Sequence, residues 1–599
     1  MKYLLLLICF ISCDVVFAQN NAQQLISSSK ADTWVATDAL KRDLTVNAQN
    51  GEIREDKFVG IFYFVWQGAH GYDEIAKPDK DDGVKAKLPR DTISPYDISK
   101  LLKENPENPN YGPLKAFHHW GEPYFGYYLP DDEWIIRKHA QMLSDAGVDV
   151  LIIDVTNASI YLPQVTKIVE IYRKMRKQGI STPSFSFIVN SNPTNTVNRL
   201  YQSIYKPGLF KDLWFYWKGK PLLLTPPEGL TDENRDFFTA KQSWAWTEGQ
   251  EWFGNGKDKW PWLDHTPQNY GWTKSKDQPE QISVAVAEHP ISNIGRSFHD
   301  GKQPEVHQSG KGLYFEEQWK RALEVDPEFV FVTGWNEWVA MRFNDWKTKK
   351  FMGKPIKMGD TYFVDLYNAE YSRDAEPMKG EFTDNYYYQL VDNIRKFKGS
   401  RNIPTYSSTN SIKVDANFSD WQNVEAVFTD DEGDILHRNH PGWGRIKSYV
   451  NTSGRNDITD AKVSSDKDHL FFYVKTKNNL TPFTDKNWMQ LYISLNGNQP
   501  NWEGFQYMIK HPPDGKNKAS LLKYNENGTW VSNGLITVES SGNEMELKIP
   551  KSMLLLVGNK FTLDFKWTDN IETGDPLLWL DQGDTAPNAR FKYRYQKTE

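Results

Sequence analysis

The pattern of apolar and polar positions changes character once along the chain. Phe58 to Trp66 (FVGIFYFVW), Val148 to Asp154 (VDVLIID), Phe185 to Asn190 and Pro221 to Thr225 are near-continuous apolar runs. Ser243 to Trp246, Ile282 to Glu288 and Phe329 to Gly334 repeat the pattern, which is that of strands buried on both faces. Between the runs, Pro130 to Ala146, Leu162 to Lys177 and 312–325 carry helical spacing, and Thr383 to Phe397 closes the series. Asp131, Asp132 and Glu133 put negative charge at the positive end of the first helix, and Gly147 ends it. Strand–helix units repeated at this length predict a parallel sheet. Without a Gly-rich phosphate loop, they predict an α/β fold of (β/α)8 TIM-type barrel over 57–398 rather than a doubly wound sheet.

Gly399 to Ser411 (GSRNIPTYSSTNS) reads as a linker. After it, over 412–599, short runs of alternating polarity predict an all-β sandwich: Leu470 to Lys475, Met489 to Leu495, Phe505 to Ile509, Leu535 to Val538, Met545 to Ile549 and Phe561 to Trp567. Asn527-Gly528 is a hairpin signal. A polar insertion of about 70–128 follows the first strand, and loops of such length inside a domain usually carry function.

At the other end, Lys2, the apolar stretch Leu4 to Ile11 and Val16-Phe17-Ala18 predict a signal peptide over 1–18, followed by a polar lead-in over 19–56. Both cysteines, Cys9 and Cys13, fall inside the signal segment, so the mature chain has no disulfide and no thiol nucleophile. Export to a bacterial periplasm or cell surface is expected. A lipoprotein box ending at Cys13 is the less favoured alternative, because Phe10 fits its first position poorly. No later run reaches transmembrane length. A length of 599 residues calls for two or three domains, and a net charge of −7 without a basic run argues against nucleic acid as a partner. The 23 Trp, 29 Tyr and 32 Phe fill cores, or stack on sugars, with equal ease.

Side chains at the C-terminal ends of barrel strands line the active site. Asp154 (LIIDVTN), Glu288 (VAVAEHP) and Glu337 (VTGWNEW) occupy such positions. Glycoside hydrolysis needs two carboxyl groups, one to donate a proton and one to activate water or attack. The plain alternative for each is a hydrogen-bonded residue of the barrel rim. Around them, Trp66, Trp246, Trp335 and Trp338 are candidate sugar platforms, and Asn157, Asn336 and His289 candidate hydroxyl ligands. His118, His119, Trp120 and Glu122 of the long loop are candidate cleft walls, and Arg296, His299 and Asp300 a candidate substrate-facing loop. His118-His119 has no matching ligand set at metal spacing, so neither a metal nor another cofactor is expected. A monomer acting on a poly- or oligosaccharide is the expected form.

GWNEW at 334–338, with the helix–strand segment 131–157, resembles the 71/99-like glycoside hydrolases. The likeness spans about 58–398 and is sharp only at GWNEW. It implies a (β/α)8 barrel. Family 99 members are retaining endo-α-mannosidases or mannanases with the motif NEWHE. Glu337 matches the first glutamate of that motif, which assists at the substrate 2-hydroxyl. The second, the general acid/base, falls at Ala340, which transfers no proton. The mannosidase specificity is therefore not carried over, and Glu288 and Asp154 are the candidate replacements. A barrel that binds glycan without cleaving it is the alternative. Val414 to Trp421 (VDANFSDW) and 460–474 resemble family 9 carbohydrate-binding modules, which implies sugar held between aromatic side chains. Trp443, Trp502, Trp530 and Trp579 are the candidates for that role.

Overall fold

The computed structural model describes residues 30–67, 96–109, 111, 116–343, 350–351, 354–355, 361–443, 448–495, 497, 499–511 and 517–599. The expected signal peptide with Cys9 and Cys13, and 68–95, 110 and 112–115 of the long loop, lie outside the described residues.

Strands β1 (Phe58–Tyr63), β2 (Val150–Asp154), β3 (Ser184–Ile188), β4 (Lys220–Leu224), β5 (Thr239–Lys241), β6 (Gln281–Ala285) and β7 (Phe329–Thr333) form one parallel sheet. Their order is β5-β4-β3-β2-β1-β7-β6. Successive side chains leave opposite faces. Ile61, Leu151, Ile153, Phe187 and Val332 join the helical residues of the larger core. Phe62, Ile152, Ile188, Leu224, Ala285 and Phe331 meet Trp260 and Trp262 in a second core. Inner residues from both ends of the sheet share that second core, so the sheet curls around it.

The gap between β5 and β6, at the two ends of this order, carries no regular ladder among the described residues. Residues 259–263 fill it with two isolated parallel bridges, Gln242↔Lys259 and Ala245↔Leu263. On the β6 side, Gln281 Nε2 donates to the Pro261 carbonyl at 2.8 Å. Pro261 has no N–H to give a ladder, which accounts for the irregular stave. The run Ser243 to Trp246, expected as a strand, instead lies beyond β5, and Trp246 turns out of it at φ 53°.

Helices α1 (Glu133–Ala146), α2 (Leu162–Lys177), α3 (Leu313–Val325) and α4 (Asn385–Lys398) cover the outer face. Asp132 caps α1 by accepting from the Trp134 N–H, and Gly147 closes it at φ 86°. In α3, Phe315, Trp319 and Ala322 form the buried stripe. Among the described residues, no helix is long and apolar enough to cross a membrane.

The C-terminal region contains β8 (Ile458–Ser465), β9 (His469–Thr476), β10 (Gln490–Leu495), β11 (Tyr507–Lys510), β12 (Lys518–Tyr524), β13 (Trp530–Ser541), β14 (Glu544–Pro550), β15 (Phe561–Asp569) and β16 (Tyr593–Lys597). They pair in the order β16-β15-β10-β11-β12-β13-β14-β9-β8. This one sheet folds over on itself: Phe472 of β9 meets Phe565 of β15 with ring centroids 5.6 Å apart. Asn527-Gly528 lies in the Asn525 to Thr529 turn between β12 and β13, with Gly528 at φ 74°.

The segments expected as lead-in and linker are built into the structure. Val35 bridges Lys592, Trp34 packs on Phe591 and Tyr593, and Arg395 of α4 donates to the Ala31 and Trp34 carbonyls. Thr405–Tyr406 adds to β16 as an edge strand. The seam between the parallel-sheet region and the C-terminal sheet is polar and buried. Arg438 pairs with Asp132 at 2.8 Å, and Arg590 with Asp384 at 2.5 Å and with Glu503 at 2.7 Å. Arg590→Met leaves Asp384 buried and unpaired. We expect it to lower stability by about 3–5 kcal/mol in denaturant unfolding, and a loss below about 1 kcal/mol would remove this pair from the seam's main supports.

Candidate active site

The GWNEW segment leaves β7 and is fixed at three points. Gly334 N–H donates to the Arg373 carbonyl, and Trp335 N–H to the Phe62 carbonyl at 3.0 Å. The Asn336 side chain makes a two-way clamp on the backbone of Phe64, accepting at 2.8 Å and donating at 3.1 Å. Glu337 follows, its N–H held by Asp374 Oδ1 at 2.7 Å. The Glu337 carboxylate is buried, with Arg373 Nη2 3.3 Å from Oε2. The same guanidinium lies 3.5 Å from the half-exposed Asp365 and over the Trp262 ring at 5.1 Å.

β1 lies between β2 and β7 in the sheet, so Asp154 and Glu337 flank the end of one strand. The Asp154 carboxylate accepts from Thr156 N–H at 2.9 Å and from Trp66 Nε1 at 3.3 Å. Trp66 continues β1 and is half-buried, parallel to Tyr161 at 6.3 Å. Asn157 is exposed and donates to the Tyr161 hydroxyl.

Burial raises Glu337 well above the ordinary glutamate value. Arg373 opposes the rise, while Asp365, Asp374 and Asp154 add to it. Burial likewise raises Asp154, against the hydrogen bonds from Thr156 and Trp66. Asp374 is pushed up to about 7 by burial, and its Oδ2 has no partner among the described residues. The arrangement favours the protonated form of an acid that lies beyond the end of β7, with Arg373 as its ion-pair neighbour among the described residues.

Glu288, after β6, stands in a different setting. It accepts from Tyr314 Oη at 2.5 Å and Trp246 Nε1 at 3.1 Å, with His265 Nδ1 2.6 Å from Oε2. Burial lowers the His265 pKa, but the Glu288 carboxylate outweighs it and the net shift is upward. The structure thus gathers Asp154 with Glu337, and leaves Glu288 engaged by Trp246, His265 and Tyr314.

Several residues expected to touch substrate are internal instead. Trp120 and Trp338 are fully buried and stack on each other at 4.2 Å, with Nε1 atoms given to the Glu337 carbonyl and to Glu376. Trp335 is fully buried against His139 and Tyr387. Asn336 is spent on its backbone clamp. His118 is buried between the carbonyls of Ala116 and Tyr111, and burial lowers it to about 4. His119 is buried against Tyr127 and Trp443, and burial lowers it to about 3. Glu122 bridges Lys100 and Lys379, each at 2.7 Å. His289 is buried, with Nδ1 accepting from Ile291 N–H and Nε2 facing the Phe363 carbonyl. The side chains of these residues are engaged by neighbouring protein groups.

Arg296 is corrected in the same sense. Fully buried between Phe382 and Tyr386, it donates to the carbonyls of Ala369 and Asp374 and to Ser372 Oγ. It anchors the loop that carries Arg373. His299 bonds the Ser297 carbonyl, and Asp300 is exposed at the turn. In the sheet domain, Trp443 and Trp579 are buried, whereas Trp502 and Trp530 are half-buried, 6.3 Å apart and near perpendicular. Arg373, Asp374, Asp365 and His265 were not among the expected site residues. The one signal for the first three was the long non-periodic stretch between β7 and α4.

No protein-family model matches the sequence, and no curated protein is similar to it. Among solved structures, the GH99 endo-alpha-mannosidase from Bacteroides thetaiotaomicron is similar over 57% of this chain and 97% of its own in complex with Bis-Tris propane, at 14% identity and TM-score 0.32. A second structure of that enzyme gives 16% identity and TM-score 0.33 over 57% of this chain and 98% of its own. A carbohydrate-binding module of family 9 from Caldicellulosiruptor kristjanssonii, in complex with glucose, covers 32% of this chain and 95% of its own at 13% identity and TM-score 0.19. At these scores the likeness assigns no residue a role.

Asp374 holds its proton in the folded chain up to about 7, whereas an unfolded aspartate releases it near ~3.9. Folding therefore takes up a proton inside that window, and stability falls as pH rises through it. Asp374→Asn keeps the acceptor for Glu337 N–H and removes this titration. We expect the decline between about pH 4 and 7 to flatten by up to roughly 1.4 kcal/mol per pH unit, read by urea unfolding at a series of pH values. An unchanged slope would place the ionised form of Asp374 in the folded protein.

Proposed function

We propose that this chain is an exported glycoside hydrolase that cleaves a poly- or oligosaccharide, with Glu337 as proton donor and Asp154 as the second carboxylate. The supporting observation is that these two buried acids stand at the ends of β7 and β2, either side of β1, and that the charge of Asp154 reaches Glu337 and helps to raise it. Strands two places apart are separated by about 10 Å. Side chains converging from them span the roughly 5–9.5 Å over which glycosidase carboxyl pairs work. On this reading the sheet is a (β/α)8-type barrel with one irregular stave.

The chemistry follows from the surroundings of each acid. Glu337 keeps its proton through burial and neighbouring negative charge, and gives it to the glycosidic oxygen as the bond breaks. Arg373 then stabilises the carboxylate that remains. Asp154, held by Thr156 and Trp66, attacks the anomeric carbon or takes a proton from water. Trp66, Tyr161 and the exposed Asn157 supply ring faces and an amide for the sugar. Ala340 is buried in a ladder opposite His118, so no carboxylate at that position shares the work.

The same Ala340 favours a second reading, a glycan-binding barrel that does not cleave. Product analysis separates the two. Under the hydrolase reading, Glu337→Gln and Asp154→Asn each lower the release of reducing ends by about 100- to 10,000-fold, while glycan binding survives. The rate falls at high pH as Glu337 loses its proton and at low pH as Asp154 gains one, so the profile is bell-shaped. Wild-type protein that binds glycan without creating reducing ends would overturn the hydrolase reading in favour of the second.

A further inference from the structure

Asp365 stands beside Glu337 and has no task in the reaction outlined above. A hairpin carries it back to the site. Strand Val339–Phe343 begins just after Glu337 and pairs antiparallel with strand Tyr362–Phe363, with Arg342 opposite Phe363. Continued past Phe363, that register brings Asp365 level with Ala340. Asp365 Oδ1 lies 3.5 Å from Arg373 Nη2, the same nitrogen that stands 3.3 Å from Glu337 Oε2. Two oxygens so close to one nitrogen fall well inside the roughly 9.5 Å that glycosidase carboxyl pairs span at most. The charge of Asp365 also reaches Asp154. Asp365 is therefore within electrostatic reach of both acids of the proposed reaction.

Its surroundings differ from those of the other two. The Asp365 side chain is 41% exposed, against 11% for Glu337. Asp154 accepts from Thr156 and Trp66, whereas Asp365 makes no hydrogen bond to the described residues. Its backbone is left-handed, at φ 69°. That conformation crowds a Cβ, and an aspartate that adopts it offsets the cost with a local hydrogen bond from its own side chain. Asp365 has no such bond among the described residues, so its strain is left without local compensation. Strain of this kind gathers at ligand clamps. Beside it, Arg373 Nε and Asp374 Oδ2 are buried with no hydrogen-bond partner among the described residues. Buried polar atoms are paired as a rule, and an exception calls for a ligand or water.

We propose that Asp365 is a further substrate-binding residue, whose carboxylate accepts from two neighbouring hydroxyls of the sugar held against Glu337 and thereby selects neutral sugars over uronic or sulfated ones. This rests on the reading of the cleft as a glycan site. An ionised carboxylate only accepts hydrogen bonds, and its two oxygens take two donors side by side. Adjacent hydroxyls on a sugar ring offer such a pair. A uronate carboxylate or a sulfate ester offers acceptors in place of donors and brings like charge, so it is repelled from the same position. Arg373 is buried and already faces Glu337 and Asp365, so it is not free to welcome an anionic sugar.

The test uses the full chain carrying Glu337→Gln, which stops cleavage, together with Trp502→Ala and Trp530→Ala, which silence the half-buried indoles of the sheet domain. Binding is read on an array of neutral, uronic-acid and sulfated oligosaccharides, and affinities are measured by calorimetric titration with the tightest-binding neutral oligosaccharide. The expected result is binding of neutral glycans in this parent chain, weakened by about 10-fold or more when Asp365→Asn is added. Thermal unfolding should show the Asp365→Asn fold intact, since the side chain gives up no hydrogen bond to the described residues. Asp365→Lys should reverse the selection, so that acidic glycans bind in preference to neutral ones. A parent chain that prefers uronic or sulfated glycans, or that binds none, overturns the proposal. So does unchanged neutral-glycan affinity in both Asp365 variants, including the case in which Asp365→Asn stops cleavage in the otherwise wild-type chain and is thus a reacting carboxylate. Failure of the hydrolase reading shows itself separately, as a wild-type chain that binds neutral glycan and releases no reducing ends.

Discussion

A buried charge must be answered by another, and at the candidate site the answer is one guanidinium. Arg373 faces Glu337 and Asp365, and Asp374 follows it in the chain. Arg373 is itself placed by Arg296, which lies between two aromatic rings and gathers the backbone of 369–374. The order of dependence runs inward to outward. An apolar clamp fixes Arg296, Arg296 fixes the loop, the loop fixes Arg373 and Asp374, and these fix the charge and position of Glu337. Without Arg373 the remaining acids can only be neutralised by protons.

This hierarchy accounts for what the sequence made legible. Strands buried on both faces leave an unbroken apolar run, so β1, β2 and β7 stood out, as did the carboxylates that follow β2 and β7. Asp154 and Glu337 were visible for that reason. Arg373, Asp374 and Asp365 come from an irregular stretch with no period, and their partners are distant in sequence. Tryptophan was the least informative residue. Trp120, Trp335 and Trp338 flank polar groups in the sequence just as sugar platforms do, yet they pack beneath the site, whereas Trp66 stays half-buried beside Asp154.

Glu288 shows why position at a strand end is not sufficient. It has the same placement after β6 as Glu337 has after β7. However, a tyrosine hydroxyl, an indole and an imidazole already engage its two oxygens. A carboxylate so engaged is well suited to orient His265 and Trp246. Among the described residues, Glu337 has one cationic neighbour within ion-pair distance and several acidic ones within electrostatic reach.

The lead-in has a bearing on how this molecule comes into being. Val35 is bridged to Lys592, so a segment near the beginning of the chain is seated by one near its end. In a growing chain, 30–46 finds part of its seat on α4, through Arg395 and Asp392, and the rest only when 591–593 has been made. Val35 and Lys592 are 557 residues apart in the sequence, and such contacts form late because a long loop must close first. The docking of 30–46 is therefore completed only after 591–593 has been made, and a chain truncated before these residues loses the contacts of Trp34 and Val35 with Phe591, Lys592 and Tyr593.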